Sequence, residues 1–119
     1  MNQLHGYLEI TIDGQAYGLK FGTNAIALFC ELHGIELHEL AMVNDAAAVR
    51  DLIWCAGKSW SLSKDEKFPF NQYQIGDWLD SISEKEMNRI LKAIDKTKIA
   101  GKEIQAGRTT DGKEEEPKN

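Results

Sequence analysis

The sequence predicts an α+β fold, mainly α, in which an N-terminal β-hairpin packs on about four to five helices and a disordered polar tail follows. Three observations carry this. Two short runs alternate apolar and polar residues on either side of Asp13-Gly14. Apolar residues then recur at three- and four-residue spacing through most of residues 24–100. After Ile104 no large apolar residue remains, so residues 105–119 cannot bury enough surface to offset the entropy of ordering them. The chain is therefore read as a single globular domain over 1–104 with a tail over 105–119. A length of 119 residues is enough for one core and too little for two.

The hairpin is placed at 7–21. Leu8, Ile10 and Ile12 fall on one side of the first run, and Tyr17, Leu19 and Phe21 on one side of the second. Asp13-Gly14 suits a two-residue type I′ turn, whose central positions both need positive φ. A lone hairpin is marginal in water, so helices must cover its apolar face. The first helix is predicted over 24–33, with Thr23 as cap and Gly34 as stop. Ile26, Phe29 and Cys30 form a stripe, and Ala25, Leu28 and Leu32 extend apolar character around most of the helix. That pattern marks it as the central helix, packed on the hairpin and on later helices.

A short helix over 36–42 carries Leu37 and Leu40. Asn44 is expected to cap the next helix, over 45–59, with Val49, Leu52, Ile53, Ala56 and Trp60 on its stripe. Residues 61–70 read as a polar loop ending in Phe68-Pro69-Phe70. Asn71 and Gln74 have capping-box spacing and open a helix over 72–82, with Ile75, Trp78, Leu79 and Ile82 facing inward. Ser83-Glu84-Lys85-Glu86 is a second capping box. It opens the last helix, over 84–100, through Met87, Ile90, Leu91 and Ile94.

Composition excludes several classes of function. Hydrophobic residues make up 42% and charged residues 28%, with 19 acidic against 14 basic side chains and a net charge of −5. A duplex binder needs a basic surplus to neutralise phosphates, so no nucleic-acid partner is expected. No apolar run approaches the ~18 residues of a membrane span. Met1-Asn2-Gln3-Leu4-His5-Gly6 lacks the basic-then-apolar pattern of a signal peptide. Two cysteines, Cys30 and Cys55, fit reduced, buried thiols in a cytoplasmic protein. The charge is uneven: residues 1–80 are acidic, and 81–104 are locally basic.

Catalytic and metal chemistry finds no foothold. Cys30, His33 and His38 span a glycine and lack a second ligand pair, so no metal site is expected. There is no P-loop, no dinucleotide fingerprint and no nucleophile elbow. Asp77, Asp80 and Glu84 could form a carboxylate cluster, but a solvated helix face accounts for them. No enzyme activity and no cofactor are expected. The remaining signal is aromatic. Trp54 and Tyr73 lie off their helices' stripes, either as anchors for a protein partner or because the core is wide. With Trp60, Phe68 and Phe70 they make up the candidate partner-binding residues.

The order of segments resembles short tail assembly chaperones of long-tailed phages and prophages. The resemblance begins with the hairpin, then Phe21-Gly22-Thr23-Asn24-Ala25-Ile26 and Glu31-Leu32-His33-Gly34. It continues through Val49-Arg50-Asp51-Leu52-Ile53-Trp54-Cys55-Ala56-Gly57-Lys58 and Ile75-Gly76-Asp77-Trp78-Leu79-Asp80, covering about residues 6–104. The second long helix of such proteins commonly ends in an Ala-Gly-Leu-Lys-like run, and here the leucine is missing. The resemblance implies a protein that binds the tape measure protein, keeps it soluble and promotes tail tube polymerisation around it. It further implies action in the host cytoplasm, absence from the mature virion and a capacity to form homo-oligomers. A longer frameshifted form would recruit the tail tube protein. Ala100-Gly101-Lys102 can be encoded by a slippery run, G-GGA-AAA. The alternative is a small regulatory or interaction adaptor, antitoxin-like or transcription-associated, without catalysis.

Overall fold

A computed structural model describes residues 7–42, 45–95, 98–99 and 102–103. Strands β1 (Tyr7–Ile12) and β2 (Gln15–Lys20) form the expected antiparallel hairpin, with Tyr7 opposite Lys20 and Ile12 opposite Gln15. Asp13 at φ 53° and Gly14 at φ 80° supply the two positive φ angles that a two-residue turn requires. Leu8, Ile10, Ile12, Leu19 and Phe21 are buried, so the apolar face is covered as the alternation demands.

Helix α1 (Thr23–His33) begins one residue earlier than read from the sequence. Its N-cap is Gly22, without a side-chain cap bond, and Thr23 is the first helical residue. Gly34 ends the helix at φ 65°, and Ile35 N donates to Cys30 O at 3.0 Å in the usual glycine-stopped arrangement. The segment Leu37–Met42 is a 3₁₀ helix that buries Leu40 and leaves Leu37 exposed.

The central helix is α2 (Ala46–Ser63), not α1. It packs on β2, α1 and the next helix, and it buries Ala48, Leu52, Ile53, Cys55, Ala56, Ser59 and Ser61 around its circumference. Helix α1 buries only Ala25, Ile26 and Phe29 and leaves Leu32 exposed. Small residues of α2 fill buried positions without giving the helix the all-round apolar pattern that α1 has. Asp45 is the N-cap of α2, accepting from Ala48 N at 2.8 Å. Asn44, the expected cap, lies outside the described residues. The helix runs four residues past 59, so residues 61–63 are helical rather than loop, and Ser61 is fully buried.

Helix α3 (Gln72–Leu79) has a complete capping box, with Asn71 Oδ1 accepting from Gln74 N and Gln74 Oε1 from Asn71 N, both at 2.8 Å. It is shorter than 72–82, and Ile82 is half-buried beyond its end. Helix α4 (Glu84–Asp95) buries Ile90 and Ile94. Ser83 Oγ accepts from Glu86 N at 3.0 Å, while the Glu86 carboxylate is engaged by Arg89. The helix ends at Asp95 rather than 100: β3 (Lys98–Ile99) and β4 (Lys102–Glu103) pair antiparallel there. The tail assigned to 105–119 lies outside the described residues.

Side chains of the later elements fasten to the hairpin at several points. Trp78 Nε1 donates to Thr11 O at 3.0 Å, and Arg89 donates to Glu9 O at 2.7 Å. Trp60 lies against Gly18, where a Cβ would come within 2.3 Å of the indole. Gly18→Ala is therefore expected to cost about 1–3 kcal/mol by overpacking, read by chemical denaturation. Combining it with Trp60→Ala should cost less than the sum of the two single losses, because the clashing ring is gone. Additive losses would mean that the two residues do not compete for space.

Candidate partner-binding surface

The five aromatic candidates separate into two groups. Trp54, Trp60, Phe68 and Phe70 are half-buried and engaged within the fold. The ring of Phe68 stands against Gly57 on α2, and Phe68 and Phe70 meet edge to face at 5.3 Å between centroids. Tyr17 packs edge to face on both, at 6.0 and 5.1 Å. Trp54 Nε1 donates to Phe70 O at 2.8 Å. These contacts fasten the segment between α2 and α3 across the hairpin and α2. The off-stripe position of Trp54 thus reflects a wide core, the second of the two readings open to it.

Tyr73 is different. It is 75% exposed on the first turn of α3. Its ring carries the Arg50 guanidinium at 5.3 Å. Arg50 Nε in turn donates to Asp51 Oδ1 at 2.8 Å, and His33 Nε2 donates to Asp51 Oδ2 at 2.9 Å. A carboxylate accepts only, so Nε2 carries the proton. His33 also stacks on Phe29 at 4.3 Å. A chain of contacts therefore runs from the buried Phe29 to the exposed Tyr73 through Asp51. Asp51 is buried and was not singled out in the sequence, where it looks like one more helical acid. Its position beside Leu52 and Ile53 on a helix buried on several sides was the available signal. The hydrogen bond to Asp51 holds the Arg50 guanidinium further toward its charged form than usual.

Two further cations sit over rings of α2: Lys58 Nζ over Trp54 at 4.9 Å and Lys64 Nζ over Trp60 at 5.2 Å. Such contacts contribute about 0.5–1 kcal/mol each at exposed sites.

A groove of about 600 Å³ opens beside Tyr73, between the first turns of α2, helix α3 and the start of α4. Asp77 and Asp80 line it, while Glu84 lines a separate depression on α4 with Lys85 and Arg89. The three carboxylates are not brought together. Among the described residues no group of three or more histidine, cysteine or acidic side chains is arranged to hold a metal ion. His38 is exposed. Cys55 is fully buried, and burial pushes its thiol from 9.0 up to about 12, while burial also raises that of the half-buried Cys30. No helix among the described residues is long and apolar enough to cross a membrane.

No protein-family model, curated protein or solved structure matches the chain.

Asp51→Ala leaves a buried histidine contact and an arginine without their acceptor. A loss of about 1–3 kcal/mol is expected, with Asp51→Asn milder because one oxygen remains; equal losses would point to packing alone. Cys55 should resist a thiol reagent at pH 8 until the chain unfolds. The folded state holds its proton to about 12 and the unfolded state releases it near 9.0. Stability should therefore fall as pH rises through that window, and Cys55→Ala should flatten the fall.

Proposed function

We propose that the chain is a tail assembly chaperone of a long-tailed phage or prophage. It binds the tape measure protein in the host cytoplasm, keeps it soluble, promotes tail tube polymerisation and is left out of the finished virion. The observation that carries this reading is the ordered series of segments from Phe21-Gly22 through Ile75-Gly76-Asp77-Trp78. These segments follow β2 and fall on α1, α2 and α3, with the 3₁₀ helix Leu37–Met42 between the first two helices. The exposed Tyr73 lies just before the last of them, and Gly76 and Asp77 within it line an open groove. Holding an aggregation-prone client needs binding energy and no nucleotide, because a holder stabilises the client form that it binds. Contact with the tail tube protein would fall to a longer frameshifted form.

A second reading, a non-catalytic regulatory adaptor, is favoured by Lys85, Arg89 and Lys92 along one side of α4. Salt-sensitive binding to nucleic acid would support it.

Co-expression with the tape measure protein of the same phage tests the first reading. A soluble complex is expected, and a tape measure that stays insoluble and alone overturns it. Within the complex, Tyr73→Ala should lower recovery of the client at unchanged Tm, while Trp54→Ala should lower Tm as well, since its indole fastens Phe70.

A further inference from the structure

The groove beside Tyr73 has a chemistry that specifies its occupant. Its lining includes small residues, Ala46 and Ala47, exposed at the start of α2, and Gly76 on α3. Small side chains let a helix approach at the short end of ordinary interaxial distances. Val49, Leu79 and Met87, all half-buried, give it apolar walls contributed by three different helices. Every described element around it is helical, so it offers side chains to a partner rather than a row of backbone groups, which is the helix-in-groove mode of recognition.

One wall is an anchor that the fold has already oriented. The Tyr73 ring is exposed, yet the Arg50 guanidinium lies over it and is itself fixed by the buried Asp51. An aromatic side chain held in place in the free protein loses little entropy on binding. The charge of the rim is one-sided. Asp77 and Asp80 line it, and Arg50, the cation that lines it, is committed to Asp51. The body it is cut into, residues 1–80, is acidic as well, while the basic Lys85, Arg89 and Lys92 of α4 line a separate depression. Exposed carboxylates beside an apolar lining complement an apolar stripe flanked by cations and repel one flanked by anions.

We infer that this groove binds an amphipathic helix of the client protein whose apolar stripe is flanked by lysine or arginine. The identity of that client rests on the chaperone reading; the chemistry of the groove does not. The full chain is titrated, by fluorescence anisotropy, with two labelled helical peptides. They share a leucine stripe at i, i+3, i+4 and i+7, and one carries lysine flanks where the other carries glutamate. The lysine peptide should bind at least about tenfold more tightly, and the difference should shrink as salt is added. Asp77→Lys combined with Asp80→Lys should reverse the preference. Ala47→Trp, at an exposed position of the lining, should obstruct the groove and abolish binding at unchanged Tm. Failure of both peptides to bind, equal binding of the two, or binding undiminished by Ala47→Trp overturns the inference. Self-association that Ala47→Trp abolishes also overturns it, in favour of a second copy of the chain. If the tape measure protein copurifies equally well with Ala47→Trp, the groove falls and the chaperone reading stands. If the lysine peptide behaves as expected while the wild-type chain leaves the tape measure protein insoluble, the groove stands and that reading falls.

Discussion

The structure depends on one constraint: α2 must be slender enough to be packed on several sides at once. It receives β2, α1 and α3, and much of its buried surface is alanine, cysteine, glycine and serine. Small residues bring neighbours close, and larger side chains from elsewhere then fill the space. Phe68 closes over Gly57, and Phe21, Phe29 and Ile75 complete the core. Burying each such large side chain contributes about 1.5–3 kcal/mol, so the gain lies mostly with what surrounds α2 rather than with α2 itself. The same slenderness continues to the solvent end of the helix, where Ala46 and Ala47 line the open groove.

Polar interactions occur where this packing meets the surface. Asp51 is carried inward by its neighbours and is tolerated because Arg50 and His33 both reach it. A buried carboxylate without such partners would be costly. The cations over Tyr73, Trp54 and Trp60 follow the same logic at lower stakes, each flexible side chain lying along a ring instead of extending into water. The aromatic residues therefore divide by position, and only Tyr73 presents most of its surface outward.

Local signals were readable and global ones were not. The hairpin register, the Gly34 stop and the Asn71 box depend on residues within a few positions of one another, and each is found as expected. Burial of serines at 59 and 61 depends on what stands opposite, so the end of α2 read as loop. The last helix reads on to 100 because Gly101 is the next stop signal after Ile94, although Lys98–Ile99 and Lys102–Glu103 form a short strand pair. Phe68 and Phe70 stand among the candidate partner-binding residues, and the Tyr17 ring that engages them is some fifty positions away in sequence. The groove was invisible for the same reason: Ala47, Gly76 and Met87 mean nothing together until three helices meet.

The bonds from Trp78 and Arg89 to the Thr11 and Glu9 carbonyls have a consequence in time. These carbonyls lie two residues apart on the first strand of the chain, and their donors lie 67 and 80 residues later. While the chain is being synthesised, the hairpin emerges with that row of acceptors bare, and an unfinished molecule can pair with another through it. Full-length chains close the row with an indole and a guanidinium. A chain that lacks the residues beyond 77 lacks both donors, so its first strand leaves these two acceptors to water or to another molecule.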